Sequence, residues 1–110
     1  MYEQKDIVIL PFPYTDLTGS KQRPALIISN NRLNKTEDRI CCLVTTKPHK
    51  NDISINKSFE KGNLPFESFI RPQRIFTVNA GIIKKNLCTI RGELFDKVIE
   101  EVYENLKRIY

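Results

Sequence analysis

The sequence predicts a mainly β fold of the α+β kind, a small and strongly bent sheet or barrel with one helix across it. Two observations carry that prediction. Short runs rich in Ile and Val recur as far as Val78, separated by turn signals. After them the pattern changes to apolar residues spaced three and four apart, with charges between. At 110 residues the chain is expected to form one domain, 1–110, large enough to bury a core without disulfide or metal staples.

The runs are Ile7-Val8-Ile9-Leu10, Ala25-Leu26-Ile27-Ile28, Ile40-Cys41-Cys42-Leu43-Val44, Ile53-Ser54-Ile55, Ser68-Phe69-Ile70 and Ile75-Phe76-Thr77-Val78. Each is short and β-branched, which favours strand over helix. Pro11, Pro13, Gly19, Pro24, Pro48, Gly62, Pro65 and Pro72 punctuate them, and Asn30-Asn31 and Lys50-Asn51-Asp52 read as turns. The last segment places Leu94, Phe95, Val98, Ile99, Val102, Tyr103, Leu106, Ile109 and Tyr110 on one stripe. That predicts an amphipathic helix of about five turns. Gly92 serves as its N-cap, Glu93 and Asp96 suit the positive end of its dipole, and Lys107 and Arg108 suit the other end. Its charged face reads as solvated surface.

No apolar run approaches the roughly 20 residues that span a bilayer, and the polar start followed by a short run does not read as a signal peptide. The expected location is the cytoplasm. Cys41, Cys42 and Cys88 form neither a disulfide framework nor a C-x-x-C site, and read as small buried hydrophobes. The net charge is +5, unevenly spread: residues 92–110 hold three basic and five acidic side chains, leaving +7 on the rest. A polyanion is a plausible partner for that basic body, and a merely soluble basic protein fits the charge as well.

The candidate chemistry sits in loops and at strand ends. Residues 11–22 make a long connection between the first two runs and lead into Arg23. Pro24 biases Arg23 toward an extended conformation, so the pair aims a fixed cation from a rigid strand end. A guanidinium matches phosphate oxygens as a bidentate fork. The residues alone leave two readings open, a phosphate ligand or a rim arginine paired with Asp16 or another carboxylate. Thr45 and Thr46 close the third run, and their hydroxyls suit a phosphate oxygen or simply reflect strand propensity. Ser20, Lys21, Gln22, Lys47, Lys50, Arg71 and Arg74 supply hydroxyl, amide and cationic groups. With Tyr14, Phe66, Phe69 and Phe76 they make the basic and aromatic mixture that suits single-stranded nucleic acid, although those aromatics suit a core equally. His49, the one histidine, is either an acid–base group or an exposed loop residue without a task. A lone histidine without spaced carboxylate or thiol partners makes no metal site. No Gly-rich phosphate loop or G-x-S-x-G elbow is present. No metal or cofactor is expected.

Together these pieces resemble one family. DIVILPFPYTDLTGSKQRPALIIS is similar to the N-terminal signature of the MazF/PemK toxins of bacterial type II toxin–antitoxin systems. CLVTT is similar to the family's apolar-Thr strand, and SFIRPQRIFTV to its Arg-Pro-containing segment. Lys5 stands where the family usually has glycine before the aspartate. The resemblance implies an SH3-like barrel of short bent antiparallel strands with a C-terminal helix, usually a homodimer. It implies a metal-independent, sequence-specific endoribonuclease that cuts single-stranded RNA by attack of the 2′-hydroxyl. The family's catalytic arginine falls on Arg23 and its catalytic threonine on Thr45, with Thr46 adjacent. The implied partners are single-stranded RNA and a cognate antitoxin. The proton acceptor stays open among solvent, Thr45 relaying to solvent, and His49. Two rival readings need no Arg23/Thr45 pair: a non-enzymatic SH3-like module for nucleic acid or peptide, and a CcdB-like gyrase inhibitor of related fold.

Overall fold

The computed structural model describes residues 1–12 and 21–110. Among them the strands are β1 (Asp6–Phe12), β2 (Lys21–Ile27), β3 (Asp38–Thr45), β4 (Ile53–Ser54), β5 (Phe59–Gly62), β6 (Phe69–Asn79) and β7 (Lys85–Ile90). Two α-helices accompany them, α1 (Asn31–Asn34) and α2 (Gly92–Leu106), with a 3-10 turn at Ala80–Ile82. The strands form one sheet in the order β4-β6-β3-β2-β1-β7-β5, and every pairing is antiparallel. The two edge strands, β4 and β5, are consecutive in the chain. Five residue steps from Ser54 to Phe59 reach about 18 Å at most, whereas seven flat strands would set those edges about 29 Å apart. The sheet must therefore curl, and it forms a half-barrel. The 55–58 turn that closes the curl holds Asn56 and Lys57 at φ +48° and +60°, and Ser58 N–H donates to Ile55 C=O at 2.9 Å.

The curl gives the central strands two buried faces. On one face Ile7, Leu26, Cys42, Val44, Ile70 and Ile90 pack with Leu94, Phe95, Val98 and Val102 of α2. On the other, Val8, Leu10, Phe12, Ala25, Ile27, Cys41 and Leu43 pack with Ile83, Phe76 and Val78. Burial on both sides is why β1, β2 and β3 read as continuous apolar runs instead of alternating ones. All three cysteines lie in these clusters, reduced and buried.

Several elements differ from the sequence reading. β5 and β7 carry no apolar run, because only part of each strand faces the core: along β7, Lys85 and Asn86 are exposed and burial alternates only from Leu87 to Ile90. The two runs around Pro72 are one strand, β6. Its register steps from Leu43↔Arg71 to Cys42↔Ile75, so Pro72, Gln73 and Arg74 bulge out of the ladder. Pro72 lies in that bulge, where no ladder hydrogen bond is required of it. The Asn30-Asn31 turn starts a helix instead: Asn30 Oδ1 accepts from Arg32 N–H at 2.9 Å as the N-cap of α1. At the other end, the N-cap of α2 is Arg91 and not Gly92, and the helix stops at Leu106. Ile109 and Tyr110 are exposed at 80% and 98%. Beyond Val102 the apolar stripe has no core to lie on, so the last part of the predicted helix does not form, and Lys107 pairs with Glu104 at 2.8 Å.

Lys5, at the position where the resemblance expects glycine, has φ +80°. That is the left-handed region in which glycine carries no Cβ penalty. The backbone there is held on both sides, with Lys5 N–H donating to Ile27 C=O and Ile90 N–H donating to Lys5 C=O, both at 3.0 Å. Asp6 follows, buried, accepting from Glu3 N–H at 3.0 Å and from the Thr89 hydroxyl at 2.8 Å.

Candidate active site

The register assembles the site. Arg23 lies opposite Leu10 on β1. On its other side β2 pairs with β3 as far as Ala25 opposite Leu43; that ladder ends there, and its register carried two residues on points Arg23 toward Thr45. Thr45 in turn pairs with Phe69 of β6, which pairs with Ser54 of β4. One transverse row therefore reads Leu10, Arg23, Thr45, Phe69, Ser54. The neighbouring row on the same face reads Val8, Ala25, Leu43, Arg71. Side chains alternate faces along a strand, so Arg23, Thr45 and Arg71 project from one side of the sheet. It is the side opposite α2.

Two arginines of the central strands, Arg39 and Arg23, are treated differently. Arg39 is 3% exposed, and its guanidinium donates to three carbonyls, Tyr2 at 3.0 Å and Thr36 and Asp38 at 2.8 Å. Arg23 has no such partners among the described residues. Its Nε is the one buried side-chain N or O atom without a hydrogen bond among the described residues, and no carboxylate there pairs with it. Asp16, the carboxylate named for it from the sequence, lies outside the described residues, as do Tyr14 and Ser20. An orphaned buried donor costs roughly 1–3 kcal/mol, and such a cost is retained where an acceptor arrives with a ligand.

Thr45 is half-buried, and its hydroxyl accepts from Lys47 N–H at 3.1 Å, with Lys47 C=O at 3.4 Å. That bond turns the chain out of β3. Thr46, Lys47 and Lys50 are exposed beyond the turn. Lys21 is exposed at the start of β2 on the face of Arg23, whereas alternation puts Gln22 on the opposite side. Arg74 is exposed in the β6 bulge. Phe66 is 71% exposed and Phe69 half-buried, while Phe76 packs edge-on against Phe12 at 5.0 Å. Of the basic residues named from the sequence, Lys21, Arg23 and Arg71 thus share one face, with Lys47 at its rim.

In the sequence Asp52 stands out only as part of a turn. Its side chain is 1% exposed. Asp52 directly precedes β4, whose Ile53 pairs with Ile70 of β6, and Arg71 Nε donates to its Oδ1 at 3.3 Å. The other oxygen accepts from His49 N–H at 2.8 Å and stands 3.5 Å from His49 Nδ1. The His-x-x-Asp spacing was available in the sequence; the partnership with Arg71 needed the register. Among the described residues no three His, Cys, Asp or Glu side chains converge to hold a metal ion, and no helix is long and apolar enough to cross a membrane. Burial raises the cysteine thiols, Cys41 and Cys42 to about 12 and Cys88 to about 11, so they are poor nucleophiles.

Residues 3–109 match the family model of the PemK-like, MazF-like toxins of type II toxin–antitoxin systems. No curated protein sequence matches the chain. Solved structures share its fold at low identity. One is the MazE–MazF complex (Form II) of Deinococcus radiodurans, with TM-score 0.78 and 16% identity over 96% of this chain and 95% of that one. A mycobacterial endoribonuclease gives TM-score 0.76 and 18% identity over 99% and 94%. A mycobacterial endoribonuclease bound to its cognate antitoxin gives TM-score 0.75 and 19% identity over 96% and 92%.

Proposed function

The chain belongs to the PemK-like, MazF-like toxins of type II toxin–antitoxin systems, and we propose that it is a metal-independent endoribonuclease acting on single-stranded RNA through Arg23 and Thr45. One observation carries the assignment: on one face of the sheet, β2 mounts an arginine whose buried Nε has no hydrogen bond among the described residues, and the adjacent strand β3 ends in a threonine. The endoribonuclease names of its structural neighbours support it.

In this reading the ribose 2′-oxygen attacks the adjacent phosphorus and the P–O5′ bond breaks. The products are a 2′,3′-cyclic phosphate and a 5′-hydroxyl. Negative charge gathers on the non-bridging oxygens, where the Arg23 guanidinium and the Thr45 hydroxyl donate. A preorganised donor of that kind contributes about 10²–10³ in rate. Lys21, Lys47 and Arg71 surround the pair and neutralise neighbouring phosphates. Lys50 and Arg74 extend the basic rim, and Thr46 stands beside Thr45 as support. The chain works as a single toxin domain in the cytoplasm, as a homodimer, and is silenced by a cognate antitoxin that covers the same groove.

Incubation of the purified protein with mixed-sequence RNA in EDTA, followed by mapping of the ends, tests the reading. Cyclic phosphate and 5′-hydroxyl ends are expected, with loss of about 10²-fold or more in folded Arg23→Ala and Thr45→Ala. Cleavage that requires added Mg²⁺ or Mn²⁺, or full activity in Arg23→Ala, overturns it. Light scattering of the free protein tests the dimer.

A further inference from the structure

The cleavage proposed above needs a group to take the 2′-hydroxyl proton. Arginine keeps its own proton near neutral pH, and the Thr45 hydroxyl is tied to Lys47. We infer that His49 is the proton acceptor, positioned by Asp52, so that the reaction runs on an Asp52–His49 pair set beside Arg23 and Thr45.

The topology brings that pair to the site. β3 and β4 flank β6 and run in the same direction, so residues 46–52 must cross β6. The crossing spans two strand spacings, about 10 Å. It begins at Thr45, in the row of Arg23, and ends at Asp52, which accepts from Arg71. Contacts to Asp52 and Arg71 keep it on the face that carries Arg23 and Thr45. His49 is therefore tied to Asp52 at the end of that crossing, and not on a free loop.

The loop is pinned at both ends. Thr45 fixes Lys47. Asp52 N–H donates to His49 C=O at 3.1 Å, and His49 N–H donates to Asp52 Oδ2 at 2.8 Å. That same oxygen faces His49 Nδ1 at 3.5 Å. A carboxylate that accepts from Nδ1–H leaves Nε2 as the acceptor; the 3.5 Å contact is longer than a good hydrogen bond and would tighten in the substrate complex to act this way. The imidazole is 53% exposed while the carboxylate is 1% exposed, so the acceptor nitrogen is open to a ligand and its positioning group is fixed.

Asp52 in turn is fixed by Arg71 at 3.3 Å. Lys47 and Lys50 are the other charges on the loop. Lys97, Glu100 and Glu101 of α2 line a cleft of about 460 Å³ with Asn51 and Ile53, on the α2 side of β4. The proton passes from O2′ to Nε2 as O2′ bonds to phosphorus. The leaving O5′ takes a proton from solvent, and the imidazolium returns its own to solvent. Asp52 and Arg71 are positioning residues and touch neither reacting atom.

The test is single-turnover cleavage of RNA in EDTA from pH 5 to 9. It compares the wild-type chain, Arg23→Ala, His49→Ala and Asp52→Asn, each verified as folded. His49 is exposed, so its truncation leaves the fold intact. His49→Ala should lose about 10²-fold in rate, lose the limb of the pH–rate profile that belongs to histidine, and recover activity when free imidazole is added. Asp52→Asn should lower the single-turnover rate constant, and steady-state runs should show kcat reduced with KM little changed. Chemical rescue and the pH limb are readouts that a merely structural loop residue would not move. If Arg23→Ala is inactive but His49→Ala keeps the wild-type rate and profile, His49 is not the acceptor and the Arg23/Thr45 reading stands. If the wild-type chain leaves RNA intact, both proposals fall.

Discussion

Replacing Arg23 with methionine should make the protein more stable and nearly inactive at once. The Arg23 Nε is buried without an acceptor among the described residues, and such a donor costs about 1–3 kcal/mol relative to a satisfied one. Methionine keeps an unbranched, adaptable stem over Leu10, the residue opposite on β1, so little packing is lost. Its removal of the orphan donor should raise the unfolding free energy by about 1–2 kcal/mol, or 5- to 30-fold in the folding equilibrium. The same change deletes a transition-state donor and should cost about 10²–10³ in cleavage rate. Urea unfolding followed by circular dichroism gives the first quantity, as a higher midpoint with an unchanged slope. Single-turnover cleavage gives the second. A variant that loses more than about 1 kcal/mol of stability and still cuts RNA would show that Arg23 serves the fold, and the reasoning would fail.

Lys5→Gly should stabilise the protein by about 0.5–1 kcal/mol, because relief of the left-handed strain outweighs glycine's extra chain entropy; its exposed ion pair with Glu60 contributes little, and equal or lower stability in urea would refute the strain argument. The thiols should resist disulfide-exchange reagents at pH 8 in the folded protein and react on unfolding. Burial raises them to about 12 for Cys41 and Cys42 and about 11 for Cys88, the latter also facing Asp6. Their contribution to stability is present in full below the unfolded thiol value of 9.0 and is lost as pH rises toward 11–12, so urea midpoints should fall across that range. Binding of 2′-deoxy-substituted, uncleavable RNA should weaken by slightly under one log unit per log unit of salt for each phosphate neutralised. Lys47→Glu should lower that slope and Lys97→Glu, on α2, should not; equal effects would misplace the groove.

The amino-acid sequence by itself determined which segments become strands wherever both faces are buried. β1, β2 and β3 carry continuous apolar runs because each side of them meets a core, and no other local structure satisfies so many apolar residues so briefly. It also determined the rigid mounting of Arg23, since Pro24 restricts its neighbour whatever the partner strand. The helix was legible from its period, but its end was not: the stripe continues to Tyr110 while the surface it lies on runs out near Val102. β5 and β7 were illegible for a related reason, as edge-side strands with one partly buried face carry too few apolar residues to announce themselves. What only the tertiary structure decided is which residues meet. Arg23 and Thr45 become neighbours through the β2–β3 register, and Asp52 meets Arg71 through the β4–β6 register, after a crossing of β6 that no local pattern encodes. Register comes from the summed packing of both cores and from the bulge at Pro72, Gln73 and Arg74. It is a property of the whole sheet, and so the site exists only once the sheet has closed.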